Sequence, residues 1–413
     1  MSRQGIATTA ASSRTKLLSQ CRSRAFGEYH AYSEERSMRR RIRQHRARST
    51  RLVAAMALVG AMAVASGLAT TGTAGASSTA LLAATVHPPG FDNTKEIGLR
   101  NALVAAMKGK SVSSVNTWMV VNILAAYWLA GKAGDTQAAK ELGIAPHFEG
   151  PSQGQLPVQV SEFNTLASTG ATGYFTSVID PVSEGSIINK AVAKGLDVVA
   201  IDSPVPPADA KTFTFIGTPN VTAGFAAGEA MKKALPNGGD VALLVGSLTA
   251  TNVIQRTQGF KQAIAGTKIK IIATENDGGA AAKAATNADT VIAANPNLKG
   301  IYAEYSYDGG AAAAAVKAKG DIGKIDVVAD DNDPATITGL RNGSIVASIL
   351  QQPFMQGYLG AYITTAMKVL GSAKVAKIIK PFETAGVIST GVGTLTKANL
   401  PADIAYNKAI GVG

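Results

Sequence analysis

The sequence predicts an α/β protein of two doubly wound, parallel-sheet lobes. At 413 residues the chain exceeds what one hydrophobic core usually holds. From Val115 onward, short apolar runs suited to buried strands alternate with amphipathic stretches at helical spacing. That alternation runs through the chain and then begins again in its second half. Hydrophobic residues make up 46% and charged residues 16%, enough for two cores. Forty-three glycines and an aromatic content of only 6% fit short helices lying close on sheets.

In chain order, residues 77–112 read as a linker broken by Pro88-Pro89-Gly90, followed by a loosely specified helix over 97–107. Strands are expected at 118–124, 174–179, 197–202 and 213–217, with helices at 127–142, 182–193 and 221–235 between and after them. The second half gives strands at 240–246, 270–275, 300–305, 326–331 and 345–351. Its helices fall at 253–264, 280–294, 310–319, 334–342 and 354–370. Gly195, Gly266, Gly320 and Gly343 stand where helices should end in a left-handed residue. Apolar strands joined by helices imply parallel sheets covered on both faces.

Ligands of such sheets bind beyond the carboxyl ends of the strands. The residues there are Asn122, Asp202, the 246–252 loop, Glu304, Asp331 and Gln351. Polar groups ending strand after strand describe a hydrogen-bonding cleft.

The basic character is confined to the N-terminal end. The formal charge is +12, yet residues 1–51 hold 13 of the 40 Lys and Arg against three of the 28 acids. The remainder is nearly neutral, which removes the argument for a nucleic acid partner. Residues 38–51 form a positive region, 52–69 an apolar run, and Ala74-Gly75-Ala76 a small-residue cleavage signal. Residues 1–76 are therefore expected to be a basic leader and signal peptide, cleaved after Ala76, with an uncleaved anchor as the alternative. Translation is expected to begin at Met38 rather than Met1. The one cysteine, Cys21, precedes the apolar run, so no disulfide, thiolate metal site or lipid-acceptor cysteine is expected after cleavage. The product is expected outside the cytoplasm, periplasmic or extracellular.

Enzyme chemistry finds no footing. Only His87 and His147 follow the leader, and H-E-x-x-H, G-x-S-x-G and P-loop signatures are absent. No nucleophile, base and orienting group can be assembled, and no cofactor is expected.

Six segments in order resemble the ribose-type, or type I, periplasmic solute-binding proteins of sugar ABC transporters. Residues 119–143 give a strand, the pair Tyr127-Trp128, and a helix closing on Leu142-Gly143. Ile179-Asp-Pro-Val leads to residues 187–202, and Ile216-Gly-Thr-Pro-Asn-Val-Thr-Ala-Gly224 follows. Gln258-Gly-Phe260, Val327-Val-Ala-Asp-Asp331 and Gln351-Gln-Pro-Phe-Met-Gln-Gly357 complete the set. The resemblance covers about 115–370. It implies two lobes joined by a three-crossover hinge that closes on ligand, the first from 113–216 plus 353–378 and the second from 217–352 plus 379–413. A monomeric binding component is implied, with a carbohydrate as its small-molecule ligand and a membrane permease as its partner. A sensory protein serving a membrane receptor, or a binder of an amino-bearing ligand, is the alternative. A transcriptional regulator of this fold would need a helix-turn-helix where the apolar run stands.

The resemblance also implies roles for residues. Tyr127 and Trp128 would stack on a sugar ring, or else plug the lobe's own core. Asp202 and Asp331 would accept hydroxyl hydrogen bonds. A turn or cap role is the alternative for Asp202, and Asp330 beside Asp331 competes for its place. Gln351 matches a hinge glutamine. Thr251 and Asn252 would reach ligand or cap a helix, and Glu304 or Tyr305 stands where the ribose binders carry an asparagine. Two departures count against plain ribose. Ser203 follows Asp202 where the family has arginine, and a second family arginine falls on Val253 or Ile254. Arg256 is expected on a different helical face, leaving the acids with little cationic balance.

Overall fold

The computed structural model describes residues 87–412. The basic leader, the cleavage signal, the start at Met38 and Cys21 lie outside them. Two six-stranded sheets organise the rest, in the orders β11-β5-β4-β3-β1-β2 and β12-β10-β9-β8-β6-β7. The first comprises β1 (Thr117–Val120), β2 (Phe148–Glu149), β3 (Gly173–Thr176), β4 (Asp197–Ile201), β5 (Phe215–Gly217) and β11 (Val387–Ser389), all parallel. The second comprises β6 (Gly239–Val245), β7 (Ile269–Asn276), β8 (Leu298–Ala303), β9 (Asp326–Asp330), β10 (Ala347–Leu350) and β12 (Gly393–Leu395), with β12 antiparallel.

Both sheets are buried on both faces, and the strands show it at period two. In the first, Met119 and Val121 join one core cluster while Val120 joins the other; Val199 and Ile201 oppose Val198 and Ala200 in the same way. In the second, Ala242 and Leu244 face one cluster and Val241, Leu243 and Val245 the other. Side chains alternate across a strand, so a continuous apolar run supplies two cores at once.

Helices cover these faces. On the first sheet α1 (Thr94–Met107), α2 (Tyr127–Leu142), α10 (Pro353–Leu370) and α11 (Ser372–Ile379) lie on one side, and α3 (Leu156–Leu166) and α4 (Pro181–Ala193) on the other. On the second, α7 (Ala281–Ala294), α8 (Ser306–Ala318), α9 (Pro334–Asn342) and α12 (Leu400–Ala409) oppose α5 (Asn220–Ala234) and α6 (Thr251–Ile264).

Among the described residues three connections run from one sheet to the other: from β5 into α5, from β10 into α10, and from β11 into β12. Phe91, ahead of α1, packs in the second-lobe core. The sequence assigns all of 379–413 to the second lobe. Instead β11 pairs with β5 in the first sheet, and only β12 and α12 belong to the second. The expected linker is also partly core, since α1 buries Leu99, Leu103 and Met107, four residues apart, in the first lobe. Gly195, Gly266, Gly320 and Gly343 all take positive φ at helix ends. Among the described residues, no helix is long and apolar enough to cross a membrane, and no group of three or more metal-ligating side chains occurs.

Candidate functional site

Two strands with one repeated sequence make the site. β4 and Asp202 read Asp-Val-Val-Ala-Ile-Asp; β9 and Asp331 read Asp-Val-Val-Ala-Asp-Asp. Each final aspartate adopts the left-handed conformation, φ 59° at Asp202 and 65° at Asp331. Each also donates its backbone N–H to the neighbouring strand, Asp202 to Ile216 at 3.2 Å and Asp331 to Ile349 at 2.8 Å. Aspartate tolerates this region better than most residues. The turn stops the strand and leaves each carboxylate at the sheet's carboxyl end, one per lobe, facing a shared cavity.

That cavity lies between the lobes. Of the residues expected to reach ligand, Tyr127, Trp128, Asp202, Asn252, Glu304, Asp331 and Gln351 line it. Thr251 does not; it opens α6 and is half-buried outside the cavity. Tyr127 and Trp128 meet edge to face, centroids 4.8 Å apart at 83°. Trp128 is at once core and lining, its indole donating to Asn122 Oδ1 at 3.0 Å. Asn252 is not the helix cap, a place held by Ala250. Its amide donates across the cleft to Asp202 Oδ2 at 3.4 Å. At the rim Gly154 N–H of the first lobe donates to Gly279 O of the second at 3.2 Å. The lobes thus meet at the centre and at the edge of the cleft.

Asp202 is held from its own lobe. Ser177 donates to Oδ2 at 2.8 Å and the Tyr127 hydroxyl to Oδ1 at 3.1 Å. Gln356 in turn donates to that hydroxyl at 3.2 Å. Burial pushes the Asp202 carboxyl up, opposed by Arg256 and these donors.

Arg256 corrects the sequence reading. It is 2% exposed and lines the cavity. The helix begins at Thr251, two residues earlier than expected, and its buried face runs through Asn252, Val253, Arg256, Gly259, Phe260 and Ala263. Position 256 is one turn from 252 on that face, while Ile254 is exposed. The guanidinium donates through Nε to Asn220 Oδ1 at 3.1 Å and through Nη1 to Asp330 Oδ2 at 2.8 Å and to the Glu304 carbonyl at 3.1 Å. Nη2 donates to Gln351 Oε1. Burial works against its charge, but Asp330 and Asp202 outweigh it and raise its pKa. Asp330 points away from the cavity into this pair. Burial still pushes it up to about 7.

Gln351 ties the site to the hinge. It donates to Asp331 Oδ1 at 3.0 Å and accepts from Thr218, at the first crossover, at 2.9 Å. Glu304 is fully buried; its Oε1 accepts from Thr257 at 2.8 Å and its Oε2 has no partner. Burial, then Asp330, pushes it up to about 8. Tyr305 and Tyr307 close the second-lobe wall, and Tyr305 lies so near Gly246 that a Cβ there would sit 2.0 Å from its ring. The chemistry available is recognition: acceptors on both lobes, a few donors and aromatic faces.

Residues 115–371 match the family model described as a periplasmic binding protein domain. The D-ribose/D-allose-binding protein of Pseudomonas aeruginosa is 31% identical over 214 residues, 51% of this chain and 65% of that one. The D-allose-binding periplasmic protein of Escherichia coli is 28% identical over 245 residues, 57% of this chain and 78% of that one. An ABC transporter solute-binding protein from Burkholderia graminis, solved in complex with D-arabinose, is 28% identical with a TM-score of 0.63. That similarity covers 70% of this chain and 98% of the other. The strand-end aspartates, the two sheets with their three crossovers and the match over more than half the chain agree: this chain belongs to the periplasmic binding protein family, whose members bind solutes and are not enzymes.

Proposed function

We propose that the chain takes one small sugar into the interlobe cleft and presents the closed form to the permease of an ABC importer. The observation that carries this reading is the pair Asp202 and Asp331, one from each lobe, each in the left-handed conformation and both lining one cavity. A carboxylate accepts two hydroxyls at once, and charge-assisted bonds are the stronger kind. Tyr127 and Trp128 supply the aromatic face that suits the C–H side of a sugar ring. Ligand touching both lobes favours the closed arrangement through contacts the open one lacks. The relatives' named ligands, ribose, allose and arabinose, are small sugars. Export fits this role. We assign residues 1–76 as leader with cleavage after Ala76, which an N-terminal peptide beginning at Ser77 would establish, and we take the working form as a monomer.

The test is a thermal-shift panel of aldopentoses and aldohexoses on the purified chain. A sugar at 100 times its Kd adds about 2.7 kcal/mol and raises Tm. A sugar response supports the importer reading. A flat response to every sugar overturns it in favour of a receptor-docking protein.

A further inference from the structure

The charges around the cavity do not balance. Three acidic residues line it, Asp202, Glu304 and Asp331, and among the described residues the one basic residue that does so is Arg256. That guanidinium is already engaged: its ion pair is with Asp330, outside the cavity, and its other bonds go to Asn220, Gln351 and a backbone carbonyl. Asp202 is provided with three donors from the protein. Asp331 has one, from Gln351. Glu304 keeps an oxygen with no partner at all, although the residue is fully buried. A buried carboxyl oxygen without a partner is costly, and a cation that draws the proton off would supply one.

We propose that the cleft takes an amino sugar in preference to its neutral parent, with Glu304 and Asp331 facing the ammonium group. This rests on the sugar-binding reading and names the ligand class within it. Burial pushes both carboxyls up from their usual range, Glu304 to about 8. The charged or titratable groups around Glu304 are Asp330 on β9, Arg256 and Lys261 on α6, Tyr302 on β8 and Asp308 on α8. Only an arriving cation changes the balance. At about pH 6.5 a sugar ammonium is charged while Glu304 is protonated, so forming the pair expels a proton.

The experiment is titration calorimetry of the full chain at about pH 6.5, in two buffers of different ionisation enthalpy. The probes are 2-amino-2-deoxy-D-glucose, -D-galactose and -D-mannose, each against its parent hexose, with D-ribose, D-allose and D-arabinose alongside. At least one amino sugar is expected to bind about tenfold or more tighter than its parent, releasing about one proton. Glu304→Gln, folded by its melting curve, should lose that advantage and the proton release. Proton release by the wild-type chain reads the same point without any variant. If neutral sugars bind as tightly as amino sugars, or bind alone, the charge inference falls and the sugar cleft stands. If none of the nine binds, the sugar reading itself falls.

Discussion

At the scale of single residues, the site depends on a few buried charges whose partners are fixed. Arg256 and Asp330 are 2% and 1% exposed at their side chains and sit 2.8 Å apart. A pair that deep contributes little by itself, but breaking it leaves one charge stranded. Replacing Arg256 by Met should cost about 3–5 kcal/mol of stability in denaturant unfolding. Replacing Arg256 and Asp330 together by apolar residues should recover much of the loss. Most of these residues were legible in the sequence because strand ends are recognisable from apolar runs that stop at a polar group; Asp202, Glu304, Asp331 and Gln351 all were. Arg256 was not. Its role follows from where α6 begins, and a two-residue error in the start obscures which face a side chain occupies. The stripe Asn252, Arg256, Gly259, Ala263 carried the signal, at spacings that lie along one helix face.

At the scale of elements, glycines set how near the helices come. In the second lobe a Cβ at Gly259 would lie 2.0 Å from Val221 O, and one at Gly224 would lie 1.9 Å from Arg256 O. The first lobe repeats this, with Gly134 against Phe354 O at 1.9 Å and Gly357 against Gly131 O at 2.0 Å. In both lobes a helix entered from the hinge, α5 or α10, is thus pressed onto the helix that carries cavity residues, α6 or α2. Gly259→Ala meets backbone that cannot yield, so it should destabilise by about 1–3 kcal/mol and lower Tm. It should also weaken ligand binding, because Asn252 and Arg256 ride on the displaced helix. Helix α2 was readable to the residue. Helix α3 was not foreseen, because its buried residues are few and one of the three is Gln159. That side chain donates to Val121 O at 3.0 Å and Ser177 O at 2.8 Å, a tertiary role that a hydrophobic pattern does not register.

At the scale of the whole molecule, the two lobes are variations on one plan. Each places a left-handed aspartate at the end of an Asp-Val-Val-Ala strand, and each lends a helix to cross the hinge. The two-lobed α/β plan was legible because the strand and helix rhythm runs twice. The partition of the C-terminal tail was not, since β11 and β12 are three residues each and find their places only by pairing with β5 and β10. Short strands carry too little pattern to declare a sheet. What the plan yields, on the proposed reading, is a cleft in which ligand touches both halves.

The most direct measurement of that claim is calorimetric titration of the best-binding sugar into wild type, Asp202→Asn and Asp331→Asn. Asparagine keeps the shape and tolerates the left-handed backbone while removing the charge. One sugar should bind per chain, and each substitution, on opposite lobes, should weaken it by about tenfold or more, in keeping with ~1.5–3 kcal/mol for a hydrogen bond to a charged group. Wild-type affinity in either variant would mean that the ligand rests on one lobe alone, and would contradict closure around it.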